Sequence, residues 1–276
     1  MGTNPTTPTP EILPPVPQEA PPPERRVKSG WAAAPATYLL MAINCAVFVM
    51  MIARGASAWM PTTDQIMASG ADRASNVLIY GEWWRIVTAM FVHVGILHIA
   101  TNMWCLWNLG LLAEPLMGSA GLIAVYILTG AAGNLASTAY NWIHALHQSP
   151  TAPFFPAGAG ASGAVFGIAG SLIILLKSNR LPVPPLELNR LRRSVIYFAL
   201  INLVIGFSVN FGSGFTGVEV DNSAHLGGCL CGLLFAAPMV PRIGSPRTSF
   251  QMRLRLAVSM VVLVLVLFGF YISRAL

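Results

Sequence analysis

The chain has 276 residues, of which 55% are hydrophobic and only 9% charged, and its formal net charge is +6. A mean hydropathy of +0.64 excludes an ordinary soluble domain, because so much apolar surface cannot be enclosed within a polar one. The basic residues are not interleaved with aromatic ones as a nucleic-acid-binding face requires. We therefore expect the positive charge to interact with anionic membrane lipid, and we expect no nucleic-acid partner.

Residues 1–30 differ in kind from the rest of the chain. They are rich in proline and have no periodic apolar face, so they cannot bury enough surface to fold. We predict a disordered, proline-rich cytoplasmic tail. It lacks the apolar core of a signal peptide, which indicates that the first apolar segment is a retained helix.

Seven apolar segments follow, each long enough, or nearly so, to cross a hydrocarbon core as a helix of about 20 residues. Their approximate bounds are 33–53, 95–113, 118–140, 158–176, 195–211, 224–240 and 255–273. The sequence therefore predicts an all-α polytopic membrane protein.

The basic residues indicate how these helices are oriented, since Lys and Arg accumulate in cytoplasmic loops. Alternate sides of seven spans hold twelve basic residues on the N-terminal side and four on the other, namely Arg54, Arg73, Arg85 and Arg274. We expect a cytoplasmic N-terminus and a C-terminus on the opposite side.

Three polar residues fall at one depth of the predicted bundle. His98, Ser162 and His225 lie near the starts of the second, fourth and sixth spans, which all run inward from the outer surface. Ionisable side chains inside a membrane are costly and mark functional sites. These three are therefore candidates for one site about a turn below the outer surface.

Glycines provide the means for the helices to approach closely. Gly228 and Gly232 follow His225 at i+3 and i+7, and Gly163 and Gly167 form a second small-residue pair beside Ser162. Such faces let membrane helices pack backbone to backbone, which favours a serine nucleophile beside a histidine base.

A second polar pair is suited to stabilising the negative charge that forms when a serine attacks a carbonyl. His98 and Asn102 are four residues apart and share a helical face. Side-chain donors of this kind stabilise a developing oxyanion, and the backbone N–H of Ser162 at a helix start could join them.

Each residue also has a simpler explanation when it is taken alone. A serine in a Gly/Ala-rich membrane helix is commonly a packing residue, and a buried histidine often bonds between helices. We expect His93 to be a structural or loop-bracing residue, and we expect the four cysteines to be free, buried thiols. These are Cys45, Cys105, Cys229 and Cys231. The coincidence of the polar set at one depth is what favours catalysis.

The sequence does not support the other mechanisms by which a membrane protein could hydrolyse a peptide bond. All ten Asp and Glu lie outside the predicted spans or at their edges, so none is expected to orient His225. Asp221 could do so only if its helix begins early. There is no HExxH zinc motif, and both lysines, Lys28 and Lys177, fall on the cytoplasmic side. We expect no metal and no cofactor.

These motifs together resemble the rhomboid family of intramembrane serine proteases. The matching pieces are Trp84-Arg85, the stretch HVGILHIATN, Glu114, the stretch GAGASG with Gly160 and Ser162, and the stretch AHLGGCLCG. The resemblance extends over about residues 35–240, in the family's order.

The resemblance implies a six-helix catalytic core over residues 31–241, with residues 242–276 as a cytoplasmic linker and one extra C-terminal helix. It implies a catalytic dyad of Ser162 and His225, with His98, Asn102 and the Ser162 amide as the oxyanion hole. Supporting roles fall to Gly160, Phe166, Gly228, Gly232, Trp84 and Arg85. Phe166 stands where many members have tyrosine, so its ring can stack on the imidazole but carries no hydroxyl.

Hydrolysis at membrane depth needs water, so we expect a hydrophilic cavity opening outward above Ser162. The glycine-rich residues 211–221 suit a mobile cap, and the long loop over about 54–90 is expected to lie partly in the outer leaflet. The expected substrates are single-pass transmembrane proteins with weak helix formers near the outer end of the span. The expected location is a plasma membrane or a bacterial inner membrane.

Two rival functions have less support in the sequence than proteolysis. A non-catalytic rhomboid-like protein would bind membrane clients, but such proteins typically lack the serine or the histidine, and both are here. A small transporter would need a polar path, whereas the first, third and seventh spans offer no ionisable relay. The oligomeric state is left open.

Overall fold

The computed structural model describes residues 32–178, 181, 183–216, 220–242 and 246–275, without the side chains of 206–216, 241, 242 and 275. The predicted tail over residues 1–30 lies outside the described residues. Nine α-helices are found in the described part of the chain. They are α1 (Pro35–Ala53), α2 (Thr63–Ala68), α3 (Ala74–Leu78), α4 (Arg85–Thr88), α5 (Ile96–Gln148), α6 (Ser162–Leu175), α7 (Pro185–Thr216), α8 (Asn222–Ala236) and α9 (Arg247–Ala275). Short 3₁₀ turns cover Ala89–Phe91 and Ala237–Arg242.

Several of these helices have the length and composition of membrane spans. Among the described residues, Pro35–Ala53, Ile96–Gln148, Asn222–Val240 and Arg247–Arg274 are long and apolar enough to cross a bilayer, and Ser162–Leu175 is a shorter apolar helix. The prediction of a helical polytopic membrane protein is confirmed. The six-plus-one count and the orientation stay predictions.

Helix α5 contains two of the predicted spans. At 53 residues it would be about 80 Å long if it were straight, far more than a hydrocarbon core of about 30 Å. It breaks at Gly118, whose φ of 71° lies outside the helical region, three residues after Pro115. The second half then continues to Gln148, eight residues beyond the predicted end of the third span at 140, so His144 and His147 lie on a helix and not in a loop that follows the span.

Two other predicted boundaries differ from those of the helices. The fifth span was placed at 195–211, whereas α7 begins at Pro185 and ends at Thr216. Residues 211–216, assigned to a mobile cap, are therefore helical, and residues 217–219 lie outside the described residues. The first difference arises because hydropathy detects the apolar part of a helix and not its polar extension, and the second because glycine-rich sequence does not exclude a helix.

Helix α6 lies at the centre of the molecule. It packs against both α5 and α8, and nearly all of its residues are buried. Small residues permit this closeness, since a Cβ on Gly167 would collide with the Thr129 side chain of α5 and one on Gly170 with the Cys229 carbonyl of α8. The residue that begins this central helix is Ser162.

The segment between α1 and α5 is tied to the chain just before α6 by a short antiparallel ladder. Strand β1 (Asp72–Arg73) pairs with β2 (Ala157–Gly158), with Asp72 opposite Gly158. This pairing holds the first long loop beside the entry to α6. The all-α prediction contained no such ladder.

Candidate active site

Ser162 is positioned by the residues that lead directly into the first turn of α6. Gly160 has φ of 127°, a conformation that favours glycine, and its N–H donates to the Ala89 carbonyl at 3.0 Å. Ala161 is fully buried, and Ser162 follows it, half-buried. The hydroxyl thus sits at a helix N-terminus next to a backbone that cannot shift freely.

His225 lies on the first turn of α8, beside the same end of α6. A Cβ on Gly228 would collide with the Gly163 carbonyl, and one on Gly232 with the Gly167 carbonyl. The two helices therefore pack backbone to backbone along the glycine pairs that the sequence identified. This packing brings the histidine of one helix beside the serine end of the other.

The imidazole of His225 is held by an aromatic stack. Its ring centroid lies 4.2 Å from that of Phe166, with only 10° between the planes. Phe166 is four residues after Ser162, so the serine and the stacking ring share a face of α6. The expectation that Phe166 stacks on the imidazole is confirmed.

No carboxylate orients His225 among the residues that the structure describes. Asp221, the nearest acid in sequence, caps α8 by accepting from the Ala224 N–H at 2.9 Å and the Ser223 hydroxyl at 2.5 Å. Its other oxygen accepts from the Ser137 hydroxyl of α5. Within the described residues, His225 Nδ1 is buried without a hydrogen-bond partner.

His98 lies on the first turn of α5 and faces the turn before Ser162. Its Nδ1 accepts the Val94 N–H at 3.4 Å, so the neutral ring carries its proton on Nε2. A Cβ on Gly160 would stand 2.6 Å from His98 Cε1 and 2.9 Å from Nε2. The Nε2 side of this imidazole is thus pressed against the segment that leads into Ser162.

Asn102 and His93 support the same end of α5. Asn102 is 6% exposed, and its Nδ2 donates to the His98 carbonyl at 2.9 Å, which leaves the amide's second hydrogen available. His93 is fully buried, its Nδ1 bonds to the Phe91 carbonyl at 3.2 Å, and its ring lies 5.3 Å from that of His98. The burial of His93 and its bond to Phe91 agree with the expected structural role of this histidine.

Arg85 holds the first long loop together. Its Nη1 donates to the carbonyls of Met67 and Ala71, each at 2.8 Å, and its Nε bonds Glu82 at 2.6 Å. The guanidinium also stacks on the Trp84 ring at 4.4 Å. Bonds from Asn76 and Arg85 hold the pKa of the Glu82 carboxyl below its ordinary value. Trp84 and Arg85 are therefore structural parts of this loop.

Asp72 is a buried carboxyl group that the sequence did not single out. It is 3% exposed in strand β1 and accepts from the Thr138 hydroxyl at 3.2 Å. Burial, and then the charge of Asp221, raise its pKa to about 8. No local signal could have identified it, because its environment is created by a contact between residues 66 positions apart.

The cysteines are free, as expected, but they are not all buried. Cys231 is buried, Cys105 and Cys229 are half-buried, and Cys45 is exposed on the outer face of α1. Thiols facing lipid need no polar partner, which explains how Cys45 can be exposed in an apolar helix. In the described part of the chain, no three His, Cys, Asp or Glu side chains cluster as metal ligands.

Comparison with known protein families agrees with this geometry. A family model described as Rhomboid domain matches residues 80–242, which is more than half of the chain. The chain belongs to the rhomboid family. The matched region contains every residue of the candidate site, from Trp84 to Gly232.

Several rhomboid relatives are similar over most of this chain. Rhomboid protease GluP of Bacillus subtilis (strain 168) is 33% identical over 228 residues, which are 82% of this chain and 38% of GluP. Rhomboid protease AarA of Providencia stuartii is 27% identical over 220 residues, 72% of this chain and 70% of AarA. RHOMBOID-like protein 1 of Arabidopsis thaliana is 30% identical over 63% of this chain and 39% of that protein. The chain thus spans about two fifths of GluP and of the Arabidopsis protein.

Rhomboid proteases are serine intramembrane endopeptidases, and the family resemblance inferred from the motifs is confirmed. The roles of individual residues in this rhomboid stay predictions. So does the outward-opening cavity above Ser162.

Proposed function

We propose that this protein is an intramembrane serine endopeptidase that cleaves single-pass transmembrane proteins near the outer end of their spans. Ser162 is the nucleophile and His225 the general base, without a carboxylate. The observation that carries the proposal is the flat stack of His225 on Phe166, one turn from Ser162, in a chain of the rhomboid family. A serine and a histidine brought to adjacent helix ends are the parts that acyl transfer to a hydroxyl requires.

The proposed reaction begins with attack of Ser162 Oγ on the carbonyl carbon of the scissile peptide. His225 Nε2 takes the hydroxyl proton as the new C–O bond forms, and the carbonyl oxygen becomes an oxyanion. Collapse of this intermediate breaks the C–N bond, and the imidazolium gives its proton to the leaving amine. Water, activated by the same imidazole, then hydrolyses the acyl-enzyme and restores the serine.

His98, Asn102 and the Ser162 backbone N–H are proposed as the donors to the oxyanion. The bond from Val94 supports this role for His98, because it leaves the Nε2 proton free on the side that faces Gly160. Asn102 has one amide hydrogen left after bonding the His98 carbonyl. The Ser162 N–H lies in the first turn of α6, where helix N–H groups lack an intrahelical acceptor.

The proposed topology puts this chemistry on the non-cytoplasmic side of a plasma membrane or a bacterial inner membrane. The twelve-to-four division of basic residues supports a cytoplasmic N-terminus. Helices α5, α6 and α8 each place their polar residue at the N-terminal end. Substrates must unwind locally to expose a peptide bond, so weak helix formers near the cut are expected.

Cleavage of a model single-pass substrate in liposomes tests this function. The full chain is compared with Ser162→Ala and His225→Ala, and each variant is checked for an unchanged unfolding temperature. We expect both substitutions to abolish cleavage. Cleavage that survives in folded Ser162→Ala would disprove the mechanism, and a folded but inactive unaltered chain on several substrates would favour client binding without catalysis.

A further inference from the structure

The first turn of α8 contains three buried polar atoms without a partner. Within the described residues, they are Nδ2 and Oδ1 of Asn222 and Nδ1 of His225. Buried polar atoms are bonded in the great majority of cases, and leaving one unbonded destabilises the folded state. Three such atoms within four residues indicate that this turn is arranged for something other than folding stability.

The spacing of Asn222 and His225 along the helix puts the two side chains within reach of each other. Asn222 and His225 are three residues apart in one helix, a spacing that puts the two Cβ atoms about 5–6 Å apart on one face. Asp221 accepts from Ser137, Ser223 and the Ala224 N–H, and within the described residues no hydrogen bond joins it to His225 Nδ1. Asn222 is therefore the free polar side chain on this turn that can face Nδ1.

The atoms are also chemically complementary. A histidine that accepts a proton at Nε2 carries its other proton at Nδ1, so Nδ1 is a donor that needs an acceptor. Asn222 Oδ1 is an acceptor without a donor. Bonds of this kind are often long or open in the free enzyme and close when the substrate is bound.

We propose that Asn222 is a positioning residue for His225: its side-chain oxygen accepts the Nδ1–H and holds Nε2 toward Ser162 during the reaction. This inference rests on the proposed function, since it assigns an orienting partner to the proposed base. A neutral amide can remain buried at this site at a lower desolvation cost than a carboxylate. The Phe166 ring fixes the plane of the imidazole, and Asn222 fixes its rotation within that plane.

The test uses the full chain in liposomes with three variants. Asn222→Ala removes the acceptor, Asn222→Asp keeps an acceptor at the same place, and Asn202→Ala is the matched control. Asn202 lies on α7, and its amide bonds the Phe198 carbonyl of its own helix, so Asn202→Ala reports the effect of losing a side-chain amide outside α8. The readouts are kcat, KM, the pH profile of kcat/KM, the unfolding temperature, and the rate at which a fluorophosphonate probe labels Ser162.

We expect Asn222→Ala to lower kcat and the labelling rate by about tenfold or more, with KM and the unfolding temperature nearly unchanged. Asn222→Asp should restore most of the labelling rate. It should also move the acid limb of the pH profile to higher pH, because a carboxylate favours the imidazolium. Asp221 and His98, the other titratable groups that act on His225, are present in every variant.

The inference is overturned if Asn222→Ala labels and cleaves at the unaltered rate. It is also overturned if activity falls only with the unfolding temperature and Asn222→Asp neither restores it nor moves the acid limb. If Asn222→Ala does not fold, the acid limb of Asn222→Asp decides alone. Cleavage that survives in Ser162→Ala or His225→Ala would instead mean that the proposed function has failed.

Discussion

The ring of Phe166 lies flat against the imidazole of His225, with centroids 4.2 Å apart. These residues come from different helices, so the stack couples the position of α8 to the first turns of α6. A ring in this place limits the motion of the imidazole while leaving its Nε2 edge open. The stack thus performs part of the orienting role that a carboxylate has in a three-residue site.

Replacing Phe166 with leucine should lower kcat without unfolding the protein. An aromatic pair is worth about 0.5–1.5 kcal/mol beyond its buried area, which corresponds to about two- to twelvefold in rate. Phe166→Tyr keeps the ring and should retain nearly full activity. Steady-state cleavage in liposomes measures both variants, with Phe154→Leu, at a position 79% exposed, as the control. Equal rates for the leucine and tyrosine variants at position 166 would show that the stack does not matter.

Gly228→Ala should separate α6 from α8. The added Cβ would collide with the Gly163 carbonyl, and a backbone atom cannot move aside as the end of a side chain can. Overpacking of this kind costs about 1–3 kcal/mol, and here it also moves His225 away from Ser162. We expect a lower unfolding temperature together with loss of cleavage.

Gly269→Ala is the matched control for that substitution. Its Cβ would meet the Trp83 ring at 3.7 Å, an ordinary contact, and alanine is the better helix former. It should leave both stability and cleavage unchanged or slightly improved. If Gly228→Ala behaves like Gly269→Ala, the two helices have room to separate and the close packing is not required.

The sequence related the residues at these helix starts more completely than it predicted the boundaries of the helices. His98, Ser162 and His225 could be related because each begins a span, and the depth of a span start follows from hydropathy alone. The extension of α5 to Gln148 is polar, so hydropathy carries no signal for it. Asp72 and the β1–β2 ladder depend on contacts with residues distant in sequence, and a two-residue strand has no detectable pattern.

Gly160→Ala should reduce cleavage by about a hundredfold while the protein still folds. The Cβ would stand 2.6 Å from His98 Cε1, so the imidazole must leave the segment that precedes Ser162. Losing one oxyanion donor commonly costs a factor of about 10²–10³ in kcat. Backbone strain at φ of 127° adds about 1–2 kcal/mol of destabilisation.

Gly55→Ala separates these two effects. Gly55 also has a positive φ, of 92°, but nothing lies within 4 Å of the position its Cβ would occupy. It should therefore show the strain in the unfolding temperature and keep full cleavage activity. A similar loss of cleavage in both variants would mean that strain, and not displacement of His98, causes the effect of Gly160→Ala.

Glu114→Ala should weaken the attachment of α1 to the rest of the bundle. The carboxylate accepts the N–H groups of Ala36 at 2.9 Å and Thr37 at 2.8 Å, and the hydroxyls of Thr37 at 2.7 Å and Ser119 at 2.6 Å. Without it, buried donors at the start of α1 lose their acceptor, at about 1–3 kcal/mol each. Unfolding in detergent should show a clear loss of stability. The control is Glu187→Ala, which removes an exposed ion pair with Arg190 and should leave the stability unchanged. An equal loss of stability in both variants would contradict this account.

Asp72→Asn should remove a pH dependence from the stability of the protein. The pKa of Asp72 is raised from an ordinary value of 3.8 to about 8, first by burial and then by the charge of Asp221. Between these values the folded state holds a proton that the unfolded state has lost. The stability contribution is therefore full below about pH 4, falls as the pH rises to about 8, and is constant above that.

The fall is about 1.4 kcal/mol per pH unit for one proton, so it should be visible in unfolding temperatures measured in detergent between pH 5 and pH 8. Asparagine cannot ionise, and its amide can still bond the Thr138 hydroxyl, so the variant should gain stability relative to the unaltered protein as the pH rises. Asp64→Asn, at an exposed position in α2, is the control and should follow the unaltered curve. Parallel curves for Asp72→Asn and the unaltered protein would mean that Asp72 is ionised in the folded state across this range, and that the loop tolerates its buried charge together with the charge of Asp221.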